Sequence, residues 1–323
     1  MRKITAFFIS AVTALLCVPC ISGCSAKTEY ILKTDGDGNK YYIAGCSGFA
    51  SNLKGEVVIP SYYGEGEDYA PVTEISEQGF SATSITKITI PATVTKIGQA
   101  SFAYNNLLES VVFENGSKLE EISRGAFGYC PALKEISLPA TVKSVGIMAF
   151  YNCTSLESVG MHAVENIGGR AFEYCSSLRE VTFPETLGSI GDRAFYFSGL
   201  KEVLIPDSVF EIGYASFHSC TSLEKASVGA GVRVIKSGAF GYCTSLKELC
   251  LSSSVEKIEG ARYVDDEFYC GHAFHSCGIS DVYYGGTAEE WEELKKNTDN
   301  KSVTVNDTVF DNGALFGAKL HIG

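Results

Sequence analysis

At 323 residues with a formal charge of −12 and 45% hydrophobic residues, the chain lacks the basic footprint that phosphate backbones require, which argues against nucleic acid. Such a length would ordinarily imply two or three globular domains. A period running through the sequence overrides that expectation, because a solenoid grows in one dimension.

The first 23 residues stand apart. Arg2 and Lys3 precede an apolar, uncharged stretch over residues 4–18, too short to span a bilayer comfortably and suited to a secretory signal. Ile21-Ser22-Gly23-Cys24 follows. It resembles the lipobox of bacterial lipoproteins, with Ile where Leu is more usual. That resemblance implies cleavage before Cys24 and diacylglycerol on its thiol. Loss of Arg2 and Lys3 would take the charge from −12 to −14, so membrane contact would come from acyl chains rather than a polybasic grip.

After a short polar tether, Tyr30-Ile31-Leu32 and Tyr41-Tyr42-Ile43 flank a turn of Asp, Gly and Asn over residues 34–39. This predicts a β-hairpin. Asp35, Asp37 and Asn39 have calcium-loop spacing, but Lys40 stands at the sixth position and Cys46 at the twelfth, where Gly and Glu are needed. A plain turn is the better reading. Val57-Val58-Ile59-Pro60 reads as a first strand and residues 61–70 as an acidic insertion. Residues 24–71 are thus a tether and an N-terminal cap.

From residue 72 one sentence recurs. Leu133-Lys134-Glu135-Ile136-Ser137-Leu138-Pro139 leads to Val142, Val145-Gly146 and Ala149-Phe150, and nearly the same unit returns at Leu178 and Leu200. The closing Phe recurs at Phe80, Phe102, Phe127, Phe150, Phe172, Phe195, Phe217, Phe240 and Phe274, with spacings of 22, 25, 23, 22, 23, 22, 23 and 34. One coil per repeat follows. Alternation points Val181 and Phe183 inward and Glu180 and Thr182 outward. Ala-Phe fills the space between two walls, and the Gly of Gly98, Gly146, Gly191 and Gly213 marks a tight turn.

This unit resembles the BspA-like leucine-rich repeats of bacterial surface proteins, over roughly residues 57–284. The resemblance implies a β-rich solenoid with parallel strands on its concave face, an N-terminal hairpin cap and a C-terminal helix and strand cap. The solenoid would cover residues 72–285 in about nine coils. It also implies adhesion, often to host matrix proteins or other cells.

One coil is out of step. Ile258 lies sixteen residues before Phe274 rather than five. The surplus, residues 261–271, holds Tyr263, Asp265, Asp266, Glu267, Phe268 and Tyr269. Insertions in solenoids map to loops, often on a binding face, though a tolerated surface loop is the plainer reading. Thr287-Ala288-Glu289-Glu290 then forms a capping box for a helix to about Lys296, with Ala288, Trp291 and Leu294 on its covering face. Phe316 to Ile322 reads as a final strand within the cap of residues 286–323.

Cysteine and histidine invite a chemical reading. Cys130, Cys153, Cys175, Cys220, Cys243 and Cys277 each follow the repeat Phe by three, and Ser198 takes that place in one coil. A column of small, buried free thiols accounts for this better than disulfides. Cys270, His272, His275 and Cys277 place four potential zinc ligands within eight residues. Phe217-His218-Ser219-Cys220 repeats Phe274-His275-Ser276-Cys277 outright, however, so the repeat explains two of the four. No catalytic motif appears. The expectation is a chain without catalytic residues, metal or other cofactor.

What remains is surface. The outward strand positions form one row of Lys87, Ser110, Glu135, Ser158, Glu180, Glu202, Lys225, Glu248 and Asp281. A second holds Thr89, Val112, Ser137, Gly160, Thr182, Leu204, Ser227, Cys250 and Tyr283. Glu135, Glu180, Glu202 and Glu248, with Tyr263, Phe268 and Tyr269 of the insertion, are the candidate contacts for a protein or glycan held by a surface-anchored monomer. A structural envelope protein without a specific ligand is the alternative, since Lys and Glu neighbours also keep a sheet soluble.

Overall fold

The computed structural model describes residues 27–47, 52–264, 268–299, 303–305 and 308–323. Cys24 and the leader before it lie outside the described residues. The repeats stack as coils joined by two parallel strand ladders. One is continuous, running from Ala70–Ile75 through two-residue strands such as Ser144–Val145 and Asn166–Ile167 to Lys257–Ile258. Its inward residues, Ile75, Ile97, Ile122, Val145, Ile167, Ile190, Ile212, Ile235 and Ile258, are all buried.

The opposite wall is not continuous. Its strands form three sheets: Lys54–Val58 to Ser110–Phe113, then Glu135–Ser137 to Glu180–Val181, then Glu202–Ile205 to Lys319–Ile322. Between the walls the nine Phe rings are fully buried and stack, successive centroids 5.2–5.5 Å apart and nearly parallel. Ring offset makes this spacing slightly longer than the about 4.8 Å of a strand ladder.

A third set of inter-coil bonds runs through the Phe turn. In one coil Met148, Phe150 and Asn152 donate their N–H groups to the carbonyls of Gly169, Ala171 and Glu173 of the next, at 2.8–3.0 Å. Aligning these donors puts the residues two before and two after the Phe in the left-handed region, as at Met148 (φ 58) and Asn152 (φ 59). Side chains there cost about 1–2 kcal/mol each, which the inter-coil bonds offset.

The glycines after the aliphatic residue have another role than sequence suggested. Gly146 and Gly213 do not have positive φ. A Cβ at Gly146 would sit 2.6 Å from the carbonyl oxygen of Ile122, and one at Gly213 would sit 2.4 Å from the amide of Asp192. They are small because the preceding coil's backbone passes there.

The ends follow the expected plan with two corrections. Lys27–Thr34 and Lys40–Ser47 pair as the antiparallel hairpin and extend the continuous ladder onto Ala70–Ile75. The insertion contributes Tyr62–Tyr63, which pairs with the start of Ala70–Ile75. The helix Ala288–Asn297 carries its capping box, and Trp291 and Leu294 are buried. Ala288 is exposed, which leaves Trp291 and Leu294 as the helix's only buried residues. Phe316 belongs to a short helix, Gly313–Gly317, and the final strand is Lys319–Ile322; the strand begins only where register with Asp281–Tyr284 is reached.

Candidate functional site

Strand register brings the outward side chains together as two rows within each sheet. Glu135, Ser158 and Glu180 align, as do Glu202, Lys225, Glu248 and Asp281, with Lys319 continuing that row. Beside them Leu204, Ser227, Cys250, Tyr283 and His321 form the second row. Lys319 and His321 could not be placed from sequence, since the last strand lacks the repeat signature that fixes register.

The carboxylates are not equivalent. Lys225 Nζ lies 3.9 Å from Glu202 and 3.8 Å from Glu248, with all three side chains about half exposed. Such pairs contribute little stability, but they spread the local charge. Among the described residues Glu135 and Glu180 have no ion-pair partner. At the C-terminal end Asp281 accepts a 2.8 Å hydrogen bond from His321 Nε2. That bond, followed by one from Ser280, holds the Asp281 carboxyl below the usual range. Tyr283 stacks on His321 at 4.5 Å and keeps 41% of its surface exposed, and Leu204 keeps 58%. An apolar and aromatic strip thus borders the charged row.

Tyr263, Phe268 and Tyr269 fall in an antiparallel pair, Arg262–Val264 with Phe268–Cys270, in which Tyr263 faces Tyr269 in register. This hairpin is a sheet of its own, joined to neither ladder. Asp265, Asp266 and Glu267 lie outside the described residues. The structure therefore brings the four glutamates onto one face but does not join the insertion to their sheet.

The chemical clusters resolve into structural parts. The cysteine column donates to main chain: Cys130, Cys153, Cys175, Cys220, Cys243 and Cys277 each direct Sγ at the carbonyl of the preceding coil's Phe, at 3.0–3.2 Å. Asn105 fills the same place with an amide, donating to Phe80 and Phe102 carbonyls at 2.8 Å, and Thr83 bonds Asn105 in turn. The position selects a short donor, not merely a small residue. Burial pushes the Cys130 and Cys175 thiols up to about 12, so they are not nucleophiles.

His272 and His275 are buried, and His275 Nδ1 bonds the His272 carbonyl at 2.7 Å. Among the described residues no group of three or more His, Cys, Asp or Glu is placed to hold a metal ion. In the N-terminal turn Asp35 accepts from the Asp37 and Asn39 amides and from the Asn39 side chain at 2.8–3.0 Å. Both its oxygens close the turn.

Two aligned stretches, residues 73–165 and 149–266, match the description "BspA type Leucine rich repeat region", with six copies. The chain belongs to the BspA-type leucine-rich repeat family. Among curated proteins no match is found. Of solved structures, a leucine-rich repeat protein from Bacteroides ovatus aligns over 89% of this chain and 100% of its own at 20% identity, with a TM-score of 0.37. A leucine rich cell surface protein from Faecalibacterium prausnitzii aligns over 85% and 98% at 19% identity, TM-score 0.33. A leucine-rich repeat protein from Bacteroides capillosus reaches 29% identity over 41% and 94%, TM-score 0.33. None of these descriptions names a catalytic activity. Among the described residues no helix is long and apolar enough to cross a membrane.

Proposed function

We propose that this BspA-type protein is a non-catalytic binding protein of the bacterial cell surface, anchored through a lipidated Cys24, which holds a protein or glycan partner on its interrupted strand face. The observation that carries this reading is the pair of registered rows. Glu135 and Glu180 present uncompensated charge on the same wall as the exposed Leu204 and Tyr283. Charge speeds encounter, and desolvated apolar contacts slow release.

Capture from host matrix proteins and envelope glycans, followed by surface plasmon resonance, tests this. Glu180→Lys combined with Glu202→Lys should slow association by about tenfold at low salt, with the difference shrinking as salt rises. Unchanged kinetics would move the partner to another face. Metabolic labelling with a fatty acid tests the anchor, and an unlabelled wild type would remove it. The pairing of Lys225 with two glutamates favours a second reading, a structural envelope protein kept soluble by its ion pairs. Failure to capture any partner supports that one.

A further inference from the structure

The corner after Ser110–Phe113 is longer than its counterparts. Eight positions separate Val111 from Leu119, whereas six separate Ile136 from Val142 and Val181 from Leu187. The corner is held at both ends. Glu114 accepts from the Ala92 amide at 3.3 Å, and Thr141 donates to the carbonyls of Leu119 at 2.6 Å and Ser117 at 3.2 Å. Between these ties Gly116 bulges out at φ 79 with open space around it.

Here the strand ladder opens. Ser110–Phe113 and Glu135–Ser137 belong to different sheets, although several of their Cα atoms remain within 8 Å of one another. Leu138 N–H donates forward to the Gly160 carbonyl at 2.9 Å. Alternation therefore turns the main-chain groups of Glu135 and Ser137 back toward the break. Glu114 N–H donates backward to Ile90 at 3.0 Å, which turns those of Val111 and Phe113 forward to the same break. Both walls thus present peptide donors and acceptors that an unbroken ladder would pair. The groove over this break extends across Glu135–Ser137 to the next coil, has a volume of about 720 Å³ and carries Ser110, Asn115, Glu135, Ser137, Ser158 and His162 along it.

We propose that this groove is a subsite for an uncharged saccharide, one or two rings of a glycan. This deepens the binding reading above and rests on it. A sugar hydroxyl donates and accepts at once, which suits walls that mix N–H, C=O and Ser hydroxyl groups. No Lys or Arg lines the groove, and Glu135 stands in it, so a sulfated or sialylated ring is opposed. A peptide strand is excluded by width. Inserting one needs the flanking strands about twice 4.8 Å apart, farther than these are. Gly160 keeps the floor open, since a Cβ there would come within 3.1 Å of Ser137 Oγ.

The test uses the full chain on an array of neutral malto-, manno- and chito-oligosaccharides beside sialyllactose and sulfated sugars, followed by titration calorimetry on the best neutral binder. Gly160→Leu and, independently, Ser158→Trp should each weaken that binder at least tenfold, with Lys257→Gln, exposed on the continuous ladder, unchanged. Should Gly160→Leu fold poorly by circular dichroism, Ser158→Trp at its exposed position decides alone. A neutral binder indifferent to the folded groove variant overturns the proposal, as does binding confined to acidic sugars or no sugar binding at all. If a protein partner is captured while every sugar fails, the subsite falls and the broader binding reading stands. If nothing is captured, both fall.

Discussion

Cys153 Sγ points at the Phe127 carbonyl oxygen from 3.1 Å, joining the end of one coil to the aromatic floor of the coil before it. Repetition of this bond makes the column a donor ladder served by thiols and by the Asn105 amide, while the Ser198 hydroxyl bonds Cys220 instead. Buried thiols with raised pKa exchange and alkylate slowly. Iodoacetamide at pH 8 should therefore leave Cys130, Cys153 and Cys175 unmodified in the native protein and label them all in denaturant, while half-exposed Cys250 reacts natively. Peptide mass mapping reads the result. Native labelling of Cys153 would mean that the column is open to solvent.

The Phe stack should dominate stability. Phe172 is wholly buried between Phe150 and Phe195, with both ring centroids at 5.2 Å. Phe172→Ala should cost roughly 3–5 kcal/mol through lost burial and a cavity. Urea denaturation measures it, and a loss below about 1 kcal/mol would refute the inward assignment.

A buried carboxylate offers a contrast. Glu173 is 1% exposed, with Arg193 Nη2 at 2.7 Å and Arg170 Nε at 3.7 Å. Burial pushes its pKa up while both guanidiniums pull it down, the balance being upward. Arg193→Ala would leave that charge with only the longer contact and should destabilise by about 3–5 kcal/mol. The double variant Arg193→Met with Glu173→Leu should recover most of the loss. Equal losses in the single and double variants would show that Arg193 acts by packing on Tyr196 instead.

Acid should loosen the C-terminal half. Burial, reinforced by His275 and Arg193, lowers the His218 pKa from 6.5 to about 3, and His275 is lowered by its own burial. Both are neutral in the fold and take up protons on unfolding. Their contribution is therefore complete above about pH 6.5 and is lost as pH falls below it toward the folded-state values. For His218 the loss approaches about 1.4 kcal/mol per pH unit, and His275 adds to it in the same direction. Urea midpoints between pH 7 and 5 should fall less steeply in His218→Phe than in the wild type. Parallel slopes would place the acid sensitivity elsewhere.

How much of this was readable in advance depends on what each residue had to satisfy. The Phe column, the aliphatic walls and the Thr287 capping box follow from burial and local hydrogen bonding, which sequence period reports directly. The outward rows were legible for the same reason, alternation being local. The opening beside Ser110–Phe113 was not, although the 25-residue spacing from Phe102 to Phe127 recorded its cause, because spacing alone does not say which wall absorbs two residues. Asn105 escaped notice because the Cys column suggested size rather than donation. Gly146 was misread because its reason, a neighbour's backbone rather than positive φ, lies in the preceding coil.

The insertion in the last regular coil permits a cleaner separation of stability from binding. Ile258 pairs with Ile235 and the rings of Phe240 and Phe274 stack at 5.3 Å, as in uninterrupted coils. The coil parts on either side of the extra residues are therefore undisturbed. Excising residues 261–271 restores the five-residue step from aliphatic to Phe. Because the hairpin pairs only with itself, removal should change unfolding free energy by less than about 1 kcal/mol. The partner captured for the proposed function should dissociate faster from the shortened chain, with association unchanged, if Tyr263, Phe268 and Tyr269 anchor it. A folded deletion with wild-type dissociation would leave the hairpin a tolerated loop and assign release to Leu204 and Tyr283 on the strand face.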